Sequence, residues 1–247
     1  MLFRILGDPD FLTSSQRVVA VKGKKMEFMG MLLLRSNETV SLDRIVEGVW
    51  GDRPPKSAVR NVRTYAWSLR NDLDREAHRL SCSPGGYRFS CDQSEFDLAI
   101  FQTLAADGLQ AARAGNHEAS LENLRRALLC WRGAPFGGVT LSQYLQAEVD
   151  WMTERRLSVF EALMDALLEL GFHQEVVERA GREIVHSPLR EGLHEKLVRS
   201  LVMSGRPSEA LMAYRRAKGI FEAELGVEPG GSLRRSYEEI MSMTNGT

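Results

Sequence analysis

The chain has 247 residues, of which 43% are hydrophobic and 26% charged, a balance typical of a soluble globular protein with one large or two ordinary domains. No apolar run approaches the ~20 residues that span a bilayer, and the first residues lack the pattern of a signal peptide, so we expect a cytoplasmic protein. Residues 1–90 carry 15 basic and 10 acidic side chains, whereas residues 91–247 carry 17 and 23. A basic half followed by an acidic half favours two domains with different partners.

The cysteine, histidine and glycine patterns predict no disulfide framework, metal site or enzyme. Cys82 and Cys91 could face each other across a hairpin, but the odd count of three, with Cys130, favours reduced thiols. The five histidines lack the spacing of metal ligands, so we expect neither a metal nor a cofactor. The sequence contains no GxxxxGK phosphate loop and no GxSxG nucleophile elbow, and an enzymatic function is therefore not expected.

The first third of the chain predicts short strands followed by three helices. Two apolar segments, residues 3–6 and 18–21, are typical of small strands. Helical spacing begins at Lys24. A second helix follows with Ser41 as its N-cap, because a serine hydroxyl can accept from the free N–H groups of a first helical turn. A third helix begins at Ser57, its predicted N-cap.

The third helix is predicted to have two unlike faces. Residues at spacings of three and four indicate its buried side: Val59, Val62, Ala66, Leu69 and Leu73. Polar and basic residues, together with one tryptophan, occupy the opposite side: Arg60, Arg63, Thr64, Trp67 and Ser68. A tryptophan is unusual on a face that only contacts solvent.

The segment RLSCSPGGYRFSC, which follows the third helix, predicts a hairpin. Its apolar residues alternate on either side of the turn at Pro84, Gly85 and Gly86, and Tyr87 is expected to pack beneath this hairpin. Three helices followed by such a hairpin describe a winged helix-turn-helix. In that arrangement a helix reaches base edges in the major groove, and neighbouring segments contact the DNA backbone.

Beyond residue 94 the strand signals end, and three phrases of a helical repeat begin at Gly115, Gly171 and Gly205. The last two glycines are 34 residues apart, which is the tetratricopeptide period. The turn WRGAPFGG separates the first phrase from a long helix predicted from about Ser142. Such arrays bury a continuous core and usually hold proteins or peptides. Three tryptophans lie within apolar periodicity and are expected in the core: Trp50, Trp131 and Trp151.

Both halves are similar to one regulator family. The run LLLRSNETVSLDRIVEGVWGDRPPKSAVRNVRTYAWSLRNDL and the later SPGGYRF resemble the DNA-binding domain of the Streptomyces antibiotic regulatory proteins, which is an OmpR-type winged helix. The segments SPLREGLHEKLVRSLVMSGRPSEALMAYRRA and LGVEPGGSLRRSYEEI resemble the bacterial transcriptional activator domain that follows it. The resemblance covers about residues 1–241 and implies a winged-helix domain over 1–94 and an all-α activator domain over 95–247.

The predicted fold is therefore mixed, an N-terminal α+β winged helix-turn-helix followed by an all-α tetratricopeptide-like helical repeat domain. Six residues of the third helix are predicted to read bases: Arg60, Asn61, Arg63, Thr64, Trp67 and Ser68. Five residues are predicted to hold phosphates or anchor the wing: Lys24, Lys25, Ser41, Arg70 and Arg88. Relatives usually carry a basic residue at the position of Ser68, so the operator preference is expected to differ there.

The resemblance implies a sequence-specific transcriptional activator of an antibiotic or other secondary-metabolite gene cluster. It implies that two protomers bind tandem direct repeats of double-stranded promoter DNA head to tail, as a homodimer at least on DNA. It also implies contact with the sigma or alpha subunits of RNA polymerase. The alternative function is a protein-interaction adaptor, in which the repeats bind a peptide or a small effector and the winged helix serves as a docking module.

Overall fold

The computed structural model describes residues 1–13 and 16–245. The chain forms two compact units. The first unit combines residues 1–106 with residues 126–157, and the second combines residues 107–125 with the chain from Ser158 onward. Each unit is stabilised by its own buried hydrophobic residues.

The first unit begins with a three-stranded antiparallel sheet in the order β1 (Leu2–Arg4), β2 (Asp10–Leu12), β3 (Val18–Ala20). The sequence predicts the outer two strands but not β2, where only Phe11 and Leu12 are apolar between Asp10 and Thr13. Phe11 of β2 lies opposite Phe3 of β1, with ring centroids 5.7 Å apart, and both side chains are fully buried. This pair anchors the sheet to the core of the unit.

Three helices and a second sheet complete the winged-helix arrangement and confirm the predicted fold class. The helices are α1 (Gly23–Leu33), α2 (Leu42–Trp50) and α3 (Ala58–Leu73). The second sheet has the order β4 (Thr39–Val40), β6 (Gly86–Phe89), β5 (Leu80–Ser83). Strand β4 is not evident from the sequence, because two residues carry no periodicity and their pairing with β6 is non-local.

Helix α1 forms the centre of the first unit, since every residue from Met26 to Leu33 is buried. The ring of Phe28 packs edge-on against Tyr87, with centroids 5.7 Å apart, and this confirms that the tyrosine lies beneath the hairpin. A Cβ built on Gly48 of α2 would overlap the side chain of Met31. The absence of a side chain at position 48 therefore lets α2 approach α1 closely.

The segment that contains WRGAPFGG belongs to the first unit. It forms the predicted turn, with a short 3₁₀ helix at Pro135–Gly138, and the side chain of Phe136 is fully buried. The backbone N–H of Phe136 donates to the carbonyl of Ile5 at 2.9 Å, and that of Arg132 donates to Leu6 at 2.8 Å. These bonds join the segment to the loop that follows β1, a pairing that no local pattern predicts.

The remaining helices are α4 (Asp97–Arg113), α5 (His117–Leu129), α6 (Gln143–Glu169), α7 (His173–His186), α8 (Glu191–Met203), α9 (Pro207–Leu225) and α10 (Gly231–Asn245). The three repeat glycines lie in the turns before α5, α7 and α9, with φ values of +75°, +79° and +69° at Gly115, Gly171 and Gly205. Glycine adopts this left-handed conformation without strain, which explains its recurrence at equivalent turns.

The repeat phrases also predict the core of the second unit. The packing residues nine positions after each glycine are buried in all three repeats: Leu124, Ala180 and Tyr214. Tyr214 stacks on Tyr237, with ring centroids 4.5 Å apart. His194 is 3% exposed, packs edge-on against Phe221 and has its Nε2 atom 2.8 Å from the carbonyl oxygen of Pro188.

Two predicted core residues are exposed. Val59 is 41% exposed, because the buried stripe of α3 begins at Ala58 and continues to Val62 at a spacing of four. Trp151 is 48% exposed on α6, where its neighbour Met152 is buried instead. Periodicity fixes which side of a helix is apolar, but it does not decide between adjacent residues at the edge of that side.

Candidate nucleic-acid interface

The outward face of α3 is basic and carries no carboxylate. Between Asp52 and Asp72 the sequence contains arginine and lysine but neither aspartate nor glutamate. The exposed side chains of this face are Arg60, Arg63, Thr64, Trp67, Arg70 and Asn71. An amphipathic helix with one buried stripe and one basic face has the form that a major groove accommodates.

Arg60 and Arg63 form no ion pair within the part of the chain that the structure describes. Thr64 donates its hydroxyl hydrogen to the carbonyl of Arg60 at 3.1 Å, and its oxygen remains able to accept. The outward face therefore presents two guanidinium groups whose donors are available to an external acceptor.

The first turn of α3 is organised by side chains. Ser57 lies at the N-cap position as predicted, but its hydroxyl accepts from Asn61 Nδ2 at 3.3 Å instead of capping a backbone N–H. This contact holds Asn61 at the edge of the outward face, where the side chain is half-buried.

One flank of α3 faces the hairpin of β5 and β6. Arg70 Nε donates to the carbonyl of Leu80 in β5 at 2.9 Å. Burial raises the pKa of Tyr87, a contact with Cys82 raises it further, and the positive charges of Arg63 and Arg70 oppose this rise. Both guanidinium groups therefore lie close enough to β6 to act on its tyrosine.

The hairpin depends on a glycine. Gly86 has a φ of +134°, and a Cβ built there would overlap the carbonyl oxygen of Val40 in β4. Arg88 follows on β6, where it is exposed and lies between Thr39 of β4 and Ser81 of β5. The glycine thus allows β6 to pair closely with β4, and Arg88 lies on the exposed side of this wing.

The other flank of α3 is held by Lys25 of α1. Its Nζ atom lies 2.6 Å from Asp72 Oδ2 and donates to Ser68 Oγ at 3.2 Å. Lys25 therefore places a positive charge, itself paired with Asp72, beside Ser68.

Two residues predicted to contact phosphates lie at opposite ends of α2. Lys24 is 2.8 Å from a carboxylate oxygen of Glu27 and donates to the carbonyl of Val49 at the C-terminal end. Ser41 caps the N-terminal end as predicted, since its hydroxyl accepts from the backbone N–H of Arg44 at 3.3 Å. The structure therefore brings Lys25 to Ser68 of α3 and joins Arg70 to the hairpin that carries Arg88, but it does not bring Lys24 and Ser41 together.

Two exposed residues of this surface were not singled out from the sequence. Asn71 follows Trp67 by four residues on α3, so the helical period could have identified it. Thr39 pairs with Arg88 across β4 and β6. Its position depends on a strand of two residues that carries no sequence signal.

The described residues offer neither a metal site nor a membrane-spanning helix. Within the described ranges, no group of three or more His, Cys, Asp or Glu side chains is arranged to hold a metal ion. Among the helices of those ranges, none is both long and apolar enough to cross a membrane. All three cysteines are free thiols.

The comparisons with known proteins agree on one protein family. Residues 96–241 match the bacterial transcriptional activator domain. The chain is 32% identical to the regulatory protein AfsR of Streptomyces coelicolor over 97% of its own length and 24% of that protein. It is 30% identical to the transcriptional regulatory protein MoaR1 of Mycobacterium tuberculosis, over 97% of this chain and 78% of that one. The chain thus spans about a quarter of AfsR but most of MoaR1.

A solved structure of Mycobacterium tuberculosis EmbR in complex with a low-affinity phosphopeptide has the same fold. The TM-score is 0.91 at 28% identity, over 98% of this chain and 65% of that one. AfsR is a regulatory protein and MoaR1 a transcriptional regulatory protein. The activator-domain match and these relatives establish that the chain belongs to the Streptomyces antibiotic regulatory protein family of transcriptional regulators.

Proposed function

We propose that this protein is a sequence-specific DNA-binding transcriptional activator whose helix α3 reads the major groove. The observation that carries the proposal is the carboxylate-free outward face of α3, where Arg60 and Arg63 form no ion pair within the described residues. Guanidinium groups donate two parallel hydrogen bonds to guanine O6 and N7, a base contact worth ~1–3 kcal/mol of discrimination. Asn61, Thr64, Trp67 and Ser68 complete the base-reading set.

The flanks of α3 supply contacts that position the protein on DNA. Arg88 on the wing and Arg70, which donates to strand β5 of the wing, would meet phosphates of the same duplex. At the opposite flank, the ammonium group of Lys25 is paired with Asp72 at 2.6 Å and would have to leave this partner to meet a phosphate. Ser41 lies at the N-terminus of α2. Phosphate contacts fix the orientation of the protein and make binding sensitive to salt. Lys24 contributes less in this scheme, because Glu27 and the end of α2 already hold its ammonium group.

The family supports a fuller scheme for the whole regulator. Two protomers would bind tandem direct repeats of promoter DNA head to tail and form a homodimer there. The helical repeats would contact the sigma or alpha subunits of RNA polymerase and the second protomer. The regulated genes would be those of an antibiotic or other secondary-metabolite pathway, and the protein would act in the cytoplasm, where bacterial promoters are accessible.

The proposal is tested by selecting duplexes from a random library with the full chain. Binding of an enriched duplex and of a scrambled duplex is then measured across a salt series. We expect one enriched sequence, bound about a thousandfold or more tightly than scrambled DNA, with an affinity that decreases as salt increases. Salt-sensitive binding without any enriched sequence would contradict the proposal and favour the adaptor function.

Arg63→Ala sharpens this test. The variant is expected to lose discrimination at one base pair of the enriched sequence, by ~1–3 kcal/mol. Arg216→Ala is the matched control, because it removes one exposed arginine from α9, a helix without a proposed DNA contact. If both variants keep the discrimination of the unmodified chain, α3 does not read DNA as proposed.

A further inference from the structure

Trp67 is the most exposed apolar residue of α3. Its side chain is 67% exposed, midway along α3. Thr64 precedes it by three residues and Asn71 follows by four, so these side chains lie on one line along the helix. The indole therefore lies at the centre of the outward face rather than at its edge.

Unlike two of the other tryptophans, Trp67 packs against no aromatic ring of the described residues. Trp50 stacks on Tyr65, with ring centroids 6.2 Å apart, and Trp131 packs edge-on against Phe101 at 5.5 Å. No comparable ring contact is formed by Trp67 within the described residues. An exposed indole leaves a large apolar area in water, and a ligand that covers this area gains a correspondingly large stabilisation.

The major groove offers few apolar partners for such a ring. The edges of guanine, cytosine and adenine present nitrogen and oxygen groups there, whereas thymine adds a C5-methyl group. Arg63, one turn before Trp67, carries donors for the polar edges, so the two side chains can read neighbouring base pairs of different kinds.

We propose that Trp67 determines specificity by packing its indole ring against the C5-methyl group of a thymine in the operator. The inference rests on the proposed reading of the major groove by α3, and it names the chemical group that this residue recognises. Two other contacts are conceivable and give different experimental outcomes. In one, the indole N–H donates to a base acceptor. In the other, the ring covers a backbone sugar without preference for a base.

The experiment uses the duplex that the full chain enriches from a random library. Each thymine is replaced in turn by deoxyuridine, which removes only the C5-methyl group. For the unmodified chain we expect one thymine in each bound repeat whose replacement weakens binding about fourfold, the factor that corresponds to burying one methyl group. Trp67→Ala is expected to bind the thymine and uracil duplexes equally at that position.

Trp67→Phe separates the ring from its N–H group. Phenylalanine keeps an apolar ring and has no donor, so this variant is expected to retain the thymine preference. Loss of the preference in Trp67→Phe, or its persistence in Trp67→Ala, would overturn the methyl contact. So would an enriched duplex without any uracil-sensitive position, although that result leaves the DNA-binding function intact.

Two controls keep the outcomes distinct. Met212→Ala, which removes a side chain that is 64% exposed on α9, is expected to behave like the unmodified chain. Thermal unfolding of each variant verifies that it is folded, and an exposed residue is expected to change stability little. If the unmodified chain enriches no sequence at all, the proposed function fails, and this inference fails with it.

Discussion

The charged residues of α3 and those of the second unit are arranged in opposite ways. On α3, Arg60 and Arg63 point outward, and neither pairs with a described carboxylate. In the second unit, several cations lie within 3 Å of a carboxylate. These pairs are Arg125–Glu175 at 2.8 Å, Arg190–Glu161 at 2.8 Å, Lys196–Asp165 at 3.0 Å and Arg206–Glu209 at 2.7 Å.

This difference concerns which cations are available to an external ligand. A guanidinium already paired with a carboxylate must lose that partner before it meets a phosphate, whereas one surrounded by water does not. The face of α3 is therefore free to meet an anionic ligand, whereas the paired cations of the repeats are not. If α3 binds DNA as proposed, DNA binding and stability can be changed independently.

The largest effect is expected in the core of the repeats. Leu124 is fully buried and packs against Gly108, where an added Cβ would approach its side chain to 2.7 Å. Leu124→Ala is expected to lower the free energy of unfolding by ~2–5 kcal/mol, measured by denaturant unfolding. Leu129→Ala on the same helix, where the side chain is 78% exposed, is the matched control and should be near neutral. Equal effects of the two changes would contradict the assigned core.

The next largest effect is expected at Arg88 of the wing, where DNA binding should change but stability should not. Arg88→Ala is expected to weaken binding to all DNA sequences about equally. It should also lower the slope of log affinity against log salt concentration by ~1. Its thermal stability should stay unchanged, because Arg88 is exposed. Fluorescence anisotropy over a salt series gives the slope. A change in base preference without a change in slope would show that Arg88 reads bases instead of phosphate.

A smaller effect is expected from pH at His194 of the second unit. Burial lowers the pKa of His194, so the unfolded chain binds more protons than the folded one below the unfolded value of about 6.5. The stability contributed by the neutral imidazole is complete above that pH and decreases as the pH falls through the folded pKa. His194→Gln is expected to flatten this acid dependence in urea unfolding at several pH values. His186→Gln, at an exposed position of α7, should leave the dependence unchanged.

The smallest effect is expected at an exposed ion pair. Arg206 and Glu209 meet at 2.7 Å at the start of α9. Because solvent screens exposed pairs, Arg206→Ala is expected to change neither the midpoint of thermal unfolding nor the salt slope of DNA binding measurably. A clear loss of DNA affinity in this variant would mean that α9 contacts DNA, and the separation of roles would then be wrong.

Much of the architecture is predictable because it is encoded locally. The glycines at 115, 171 and 205 mark turns that need a left-handed backbone, and a buried residue follows each at a fixed interval. Helices α1 to α3 follow from apolar spacing in the same way. The outward position of Trp67 also follows from this spacing, because the stripe of Val62, Ala66 and Leu69 determines which side is buried.

The unpredicted features depend on contacts between distant segments. Phe136 bonds to Ile5, and Lys25 meets Asp72, across separations that no periodic pattern spans. Strand β4 has two residues and exists because β6 pairs with it. For the candidate interface, the sequence identifies the residues of α3. It could not indicate that Lys24 also donates to the carbonyl of Val49, because that contact joins α1 to the distant end of α2.

The hydrogen bond from Arg70 to Leu80 has a mechanical consequence for the choice of DNA. It joins α3 to the first strand of the hairpin, and these are the two segments proposed to reach the duplex. A duplex with a narrowed groove or a bent axis would alter the distance between the two places where these segments are proposed to contact it. The energy of matching them then depends on how easily each DNA sequence deforms. The protein would thereby select operators by their stiffness as well as by their bases, including at base pairs that no side chain contacts.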